Sequence, residues 1–272
     1  MSVGSSSIDT QEELEDYETG LPPPLNASKW SEVSPIDYPV RSADYLKTGH
    51  KQASDESVMT LFAVDLVQTE TPTCMSGHPE ERLQQSLRRG NAPEFCFAVN
   101  ISLPAPTKGG GGTKSKGAFY QFVAYFGTHD RARLFDQNTP VGRLAREFCF
   151  GDSRSNDAAF KLIPKIVDGG GFVFRQAVGS KPVLLGKKVS QRYYRCEDYC
   201  EVLVDIASDP IAKRIVRMAL GLSTHLTVDL SFCLEGKTEE TLPEALLGGV
   251  RVQGINFAQD GQRFVKNPSL LL

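Results

Sequence analysis

The sequence predicts an α+β fold: one domain in which a mostly antiparallel, curved sheet packs against helices. Three observations carry that prediction. Two-faced strands recur, as in "HLTVDLSFCLE", where Leu226, Val228, Leu230, Phe232 and Leu234 alternate with Thr227, Asp229, Ser231 and Cys233. The segment "SDPIAKRIVRMALGLS" has a helical period instead, with Ile211, Ile215, Met218 and Leu222 on one stripe and Lys213, Arg214 and Arg217 opposite. Strands and helices also interleave without a fixed repeat, which suits an antiparallel sheet with helices laid over it. Strands of a parallel sheet, covered on both faces, would read as unbroken apolar runs.

The elements follow in order. Residues 1–27 are acidic and serine-rich and end in "GLPPPLNAS"; too little apolar surface is present to offset ordering, so a disordered tail is expected. The domain is expected over residues 28–258, with a loose tail over 259–272. "HPEERLQQSLRRG" is a short amphipathic helix candidate. "EFCFAVNISL" then aligns Phe95, Phe97, Val99, Ile101 and Leu103 on one face, and the aromatic strand "FYQFVAYFG" follows a flexible glycine-rich loop at 104–117. "TPVGRLAREF" is another helix candidate, and "CEVLVDI" another two-faced strand, with Cys200, Val202, Val204 and Ile206 on its apolar side. The long helix takes Ser208 or Asp209 as its cap and Pro210 in its first turn, where a missing N–H costs nothing. A sheet closing over this helix would leave an apolar cavity, with basic side chains at its mouth.

Composition narrows the function. The 272 residues carry a formal net charge of -3, which argues against nucleic acid as a partner, since that requires a clearly basic face. The N-terminus lacks a basic segment followed by an apolar one, so no signal peptide is expected, and no apolar run approaches a transmembrane segment. A soluble, cytoplasmic protein is expected, with peripheral membrane association open to it. Six cysteines are scattered except Cys196 and Cys200. Four residues apart on a strand they would sit roughly 13 Å from one another, too far for a disulfide. Free thiols are expected.

Several motifs look chemical and fail on inspection. "GDS" at Gly151–Ser153 resembles a hydrolase nucleophile, but such a serine needs an oriented base. The one histidine after it, His225, has Leu222 rather than an acid three residues before it. "VGSKPVLLGKKV" has six residues between Gly179 and Gly186 where a phosphate loop has four, and Lys188 where it has Ser or Thr. His50, His78, His129 and His225 have no partner at metal-ligand spacing. No catalytic residue, metal or cofactor is therefore assigned. What survives is a basic concentration containing Arg154, Lys161, Lys165, Arg175, Lys181, Lys187, Lys188, Arg192 and Arg195, interleaved with Phe172, Phe174, Tyr193 and Tyr194. Of these, Arg154, Lys161, Arg175, Lys181, Lys187, Lys188 and Arg192 are the candidate anion- or headgroup-binding residues.

Several ordered stretches, "WSEVSPIDYPVRSADYLKTGHK", "APEFCFAVNISLPAP", "FKLIP", "VGSKPVLLGK", "DIASDPIA" and "LPEALLGGVR", together resemble the C-terminal domain of the plant Enhanced Disease Resistance 2 family, over roughly residues 28–252. Ser42, where the family has glycine, and the glycine-rich hairpin insertion depart from its pattern. Larger members of that family look like pleckstrin-homology and START domains followed by this unit, and act as membrane-associated regulators of cell death and defence. Their lipid binding is ascribed mainly to the upstream domains, for which 272 residues leave no room. The resemblance supplies no catalytic residues. A non-enzymatic binding or regulatory domain is therefore expected, and the one-sided strands together with the basic-aromatic cluster point to a lipid, another amphiphile or an anionic membrane surface as its partner. The alternatives are a protein-interaction module with a packed core, "FYQFVAYFG" as an edge or interface strand and an acidic partner at the basic face, and an enzyme whose acid and base lie far apart in sequence.

Overall fold

The computed structural model describes residues 24–77, 82–105, 119–152 and 156–263. The first strand, β1 (Trp30–Glu32), is followed by a small hairpin of β2 (Pro39–Arg41) and β3 (Lys51–Ala53), with α1 (Tyr45–Thr48) between them. Next come β4 (Thr60–Thr69), α2 (Arg82–Arg89), β5 (Phe95–Pro104) and β6 (Phe119–Thr128). Helices α3 (Arg131–Leu134) and α4 (Pro140–Phe150) lead into β7 (Phe160–Asp168), α5 (Gly171–Val178), β8 (Val183–Leu184), β9 (Ser190–Arg195) and β10 (Tyr199–Asp205). The long helix α6 (Pro210–Leu222) precedes β11 (Thr227–Leu234), β12 (Leu246–Gln253), α7 (Phe257–Asp260) and β13 (Gln262–Arg263).

The fold is α+β and mostly antiparallel, but the strands divide between two main sheets. One has the order β1-β12-β11-β7-β8 and is antiparallel throughout. The other has the order β13-β4-β6-β5-β10-β9. Their inner faces meet through aromatic rings. Phe232 of β11 stacks on Phe160 of β7 at 5.6 Å and meets Phe126 of β6 edge-on at 5.9 Å. Phe97 of β5 reaches Phe160 at 5.9 Å, and Phe148 of α4 plugs the same layer. Such close approach needs Gly248 on β12, where a Cβ would lie 2.4 Å from the Phe126 ring.

Two strand expectations are corrected. "CEVLVDI" lies in β10, which pairs antiparallel with β9 but parallel with β5, from Tyr199↔Cys96 to Asp205↔Ser102. Its polar face is not wet: residues 70–77 and α2 cover the outer side of the six-stranded sheet, so Glu201 and Asn100 are fully buried. Glu201 accepts hydrogen bonds from Met75 N, Ser76 N and Asn100 Nδ2, and Arg82 clamps Asp65 with two nitrogens. Burial of these carboxylates is tolerable because each is paired or hydrogen-bonded. The second correction concerns "FYQFVAYFG". It lies in β6, between β4 and β5, and is not an edge strand.

In β11 the inward set of Leu230, Phe232 and Leu234 is as the alternation predicts. The opposite set faces the segment 33–53, not water. Tyr38 donates to Asp229, whose carboxylate also accepts two hydrogen bonds from Arg251 at 2.6 and 2.8 Å. Ordered structure also reaches past the expected bounds: Leu25 is buried, its N–H bonding Val64 O at 2.9 Å, and β13 adds to the edge of β4. Residues 106–117 of the predicted glycine-rich loop, Ser153, Arg154 and most of both predicted tails lie outside the described residues.

Candidate functional site

Helix α6 begins where the sequence places it. Asp209 accepts a hydrogen bond from Ala212 N at 2.7 Å, and Pro210 opens the first turn. Its inward stripe is rotated from the predicted one. Ala212, Val216, Ala219, Leu220 and Ser223 face the sheets, whereas Ile211 is 71% exposed and Leu222 points outward. The helical period alone allows either neighbouring stripe, and the one that meets the sheets is shifted by one residue from the predicted set. No residue of α6 is fully buried, so the helix lies on the sheets as a loose cover.

Beneath that cover is a cavity of about 200 Å³. Its walls are Val216, Ala219 and Leu220 of α6, Leu162 and Leu230 from the five-stranded sheet, and Phe257 of α7, with Ile101, Leu103 and Phe122 at the floor. Among the lining residues Ser223 supplies the sole hydroxyl, and none is charged.

The basic residues do not stand at this cavity. Successive residues of a strand point to opposite faces. Leu162 faces the cavity, while its neighbours Lys161 and Ile163 face a cleft of about 560 Å³ on the other side of the same sheet. Six basic side chains line the cleft: Arg41, Lys51, Lys161, Lys181, Lys187 and Lys188, against the carboxylates of Glu235 and Glu244. Two of the six are neutralised within the floor. Lys161 Nζ lies 2.5 Å from Glu244 Oε1 and 3.9 Å from Glu235, and Arg41 pairs with the same two carboxylates at 3.4 and 3.7 Å. Arg41 also donates to Gly236 O and lies over the Tyr45 ring.

The exposed lysines are placed by buried neighbours. Leu185 and Val189 are core residues, so Lys187 and Lys188 between them must project. Gly186 lies against the backbone of Asp157, where a Cβ would come within 2.4 Å of its Cα. The glycine that suggested a phosphate loop therefore serves packing.

The other predicted basic residues are dispersed. Arg175 donates to Gly169 O and Ile166 O at the turn before α5, and Arg192, on β9 of the six-stranded sheet, donates to Pro72 O in the segment after β4. Arg195 holds Phe148 O and Gly151 O, and Lys165 sits 5.3 Å over the Tyr38 ring. Arg41 and Lys51 were missed because they lie more than a hundred residues upstream. The charges in "YPVRSADYLKTGHK" were their trace, but nothing local tied them to "GKK".

None of the six cysteines is joined in a disulfide. Burial pushes the Cys233 thiol, at the back of the cleft, up to about 12, against the opposing pull of Lys161. At pH 8 its thiolate fraction would be roughly one in ten thousand, against about one in four for an ordinary cysteine. Iodoacetamide is therefore expected to label exposed Cys196 and leave Cys233 untouched until denaturant is added. Mass spectrometry of the alkylated peptides reads this directly, and comparable rates at both positions would contradict the burial.

Among the described residues no cluster of His, Cys, Asp or Glu is arranged to hold a metal. His225 shares a hydrogen bond with Thr224. No helix is long and apolar enough to cross a membrane.

Comparison with known proteins agrees with the motifs. Residues 30–256 match the family described as Protein ENHANCED DISEASE RESISTANCE 2, C-terminal. A curated relative from Arabidopsis thaliana, "Protein ENHANCED DISEASE RESISTANCE 2-like", is 30% identical over 230 residues, which is 82% of this chain. The chain spans 28% of that relative's length. No solved structure matches it. With nearly all of both sheets inside the matched region, the chain belongs to the Enhanced Disease Resistance 2 C-terminal family.

Proposed function

We propose that this regulatory domain is a non-enzymatic binding module that takes the apolar end of an amphiphile under α6 while the α5–α6 face rests on an anionic membrane surface. The observation that carries the reading is the cavity, whose lining is apolar apart from Ser223. Pockets for drug-sized ligands run from about 300 to 1,000 Å³, so about 200 Å³ suits part of one acyl chain and not a whole lipid. An acid–base enzyme would instead need polar groups converging on the space.

The surface beside the cover fits a membrane interface. Helices α5 and α6 pack together. Phe172 is 79% exposed and Val173 71%, joined on α6 by Ile211 with Arg214 and Arg217. Exposed apolar side chains amid cations insert shallowly at the headgroup boundary, each nearby Lys or Arg adding about 1 kcal/mol on anionic lipid.

The test is extraction and mass spectrometry of amphiphiles that co-purify with the chain, together with flotation on phosphatidylserine vesicles. Ala219→Trp fills the cavity from the cover side. The wild type is expected to carry an acyl-bearing compound and to float, and A219W to lose the compound while melting at a similar temperature. An empty extract with no flotation would remove the reading and leave a packed protein-interaction surface in its place.

A further inference from the structure

The cleft on the far face of the five-stranded sheet is chemically unlike the cavity, and the geometry points to a second, separate site there for a compact ligand bearing several phosphate groups. Within its floor, Arg41 and Lys161 are matched by Glu235 and Glu244 in number and position. That network fixes the back wall but offers no net charge. The rim is different. Lys51 comes from β3, Lys181 from the loop before β8, and Lys187 and Lys188 from the turn after it. Among the described residues none of these four pairs with a carboxylate, so the cleft as a whole has an excess of four positive charges.

Three features favour a compact ligand with several negative charges, which phosphate groups supply at the highest density. The unneutralised groups are all lysines, compact point charges that bind phosphate oxygens without a fixed fork geometry, and the one arginine, whose planar fork would suit carboxylate or phosphate, is already engaged. They come from three chain segments facing one space, so a ligand with several charges satisfies more of them than inorganic phosphate would. The volume of about 560 Å³ is that of a small-molecule site and is short for an extended acidic peptide. A free polyphosphorylated compound and a phosphorylated lipid headgroup present the same chemistry to this rim.

The experiment is calorimetric titration of the full chain with inositol hexakisphosphate, beside sedimentation with phosphatidylcholine vesicles containing a bisphosphorylated phosphoinositide or, at matched charge, phosphatidylserine. Lys187→Ala/Lys188→Ala is expected to weaken the soluble probe about tenfold or more, and added salt to weaken it further. Lys51→Ala, on a separate segment, is expected to weaken it several-fold and gives an independent reading should the double variant fold poorly. Arg88→Ala/Arg89→Ala on α2, and A219W at the cavity, should leave it unchanged. Binding of the soluble probe alone identifies a free phosphate compound, and selective sedimentation with the phosphoinositide identifies a headgroup; either upholds the site. Absence of both, indifference to the lysine substitutions, or equal affinity for polyglutamate would overturn it.

Discussion

Glu244→Ala is expected to lower the free energy of unfolding by about 3–5 kcal/mol, read from the urea midpoint, although the residue lies in an irregular turn. The reason is what its carboxylate holds. Glu244 is buried, with Oε1 accepting from Lys161 Nζ at 2.5 Å and Gly236 N at 2.9 Å, while Oε2 accepts from Arg41 N at 3.2 Å. Truncation leaves a buried ammonium whose remaining counter-charge, Glu235, is 3.9 Å away, together with backbone donors lacking partners. Against a total stability of about 5–15 kcal/mol, that loss is a large fraction. The cost belongs to the broken pair, not to the pair's net value. Lys161→Met combined with Glu244→Leu removes both charges and should recover most of the loss, since apolar replacement of a whole buried pair is often neutral. A single-variant cost under about 1 kcal/mol would show that hydrophobic contact alone retains the segment 33–53.

The same residues mark where sequence reading ran out. The inward stripe of β11 was legible because period-two alternation is a local property, and Phe232 and Leu234 lie in the core as the pattern requires. What covers the other face of a strand is not local. Asp229 and Glu201 read as solvent-facing, since a lone acid among apolar neighbours carries no mark of the partner brought to it. Arg251 reaches Asp229 from the neighbouring strand, and the N–H groups of Met75 and Ser76 reach Glu201 from over a hundred residues away. The direction of β10 failed for the same reason: Glu201 interrupts the apolar run that buried parallel strands show, so a doubly covered strand looked two-faced. The cavity was legible in outline from α6 and the strands. The cleft was half legible, as "GSKPVLLGKK" supplied three of its lysines, but Arg41 and Lys51 join them by chain folding alone.

Phe232→Ala should be equally damaging, by about 3–5 kcal/mol, and for an apolar reason. Its ring is fully buried between the sheets, stacked on Phe160 with planes 7° apart and edge-on to Phe126. Three terms act in the same direction: lost transfer free energy of a buried aromatic, lost ring–ring attraction of about 0.5–1.5 kcal/mol per pair, and a residual void. The void cannot easily collapse. Gly248 already lets β12 approach Phe126 as closely as backbone allows, and Phe148 braces Phe160 from α4 at 5.6 Å. Phe232→Leu, which retains most of the volume but not the planar stack, is expected to lose only about 1–2 kcal/mol. The ordering of the two variants in urea is therefore the diagnostic. Equal losses for Ala and Leu would mean that ring geometry and not filled volume joins the sheets, and a negligible loss for Ala would mean that the layer at Phe232 is not closed. Leu230, two residues along the same face, lines the cavity under α6. A void opened at Phe232 would thus lie next to the space proposed for the acyl chain, and F232A should change which chain lengths co-purify before it abolishes binding altogether.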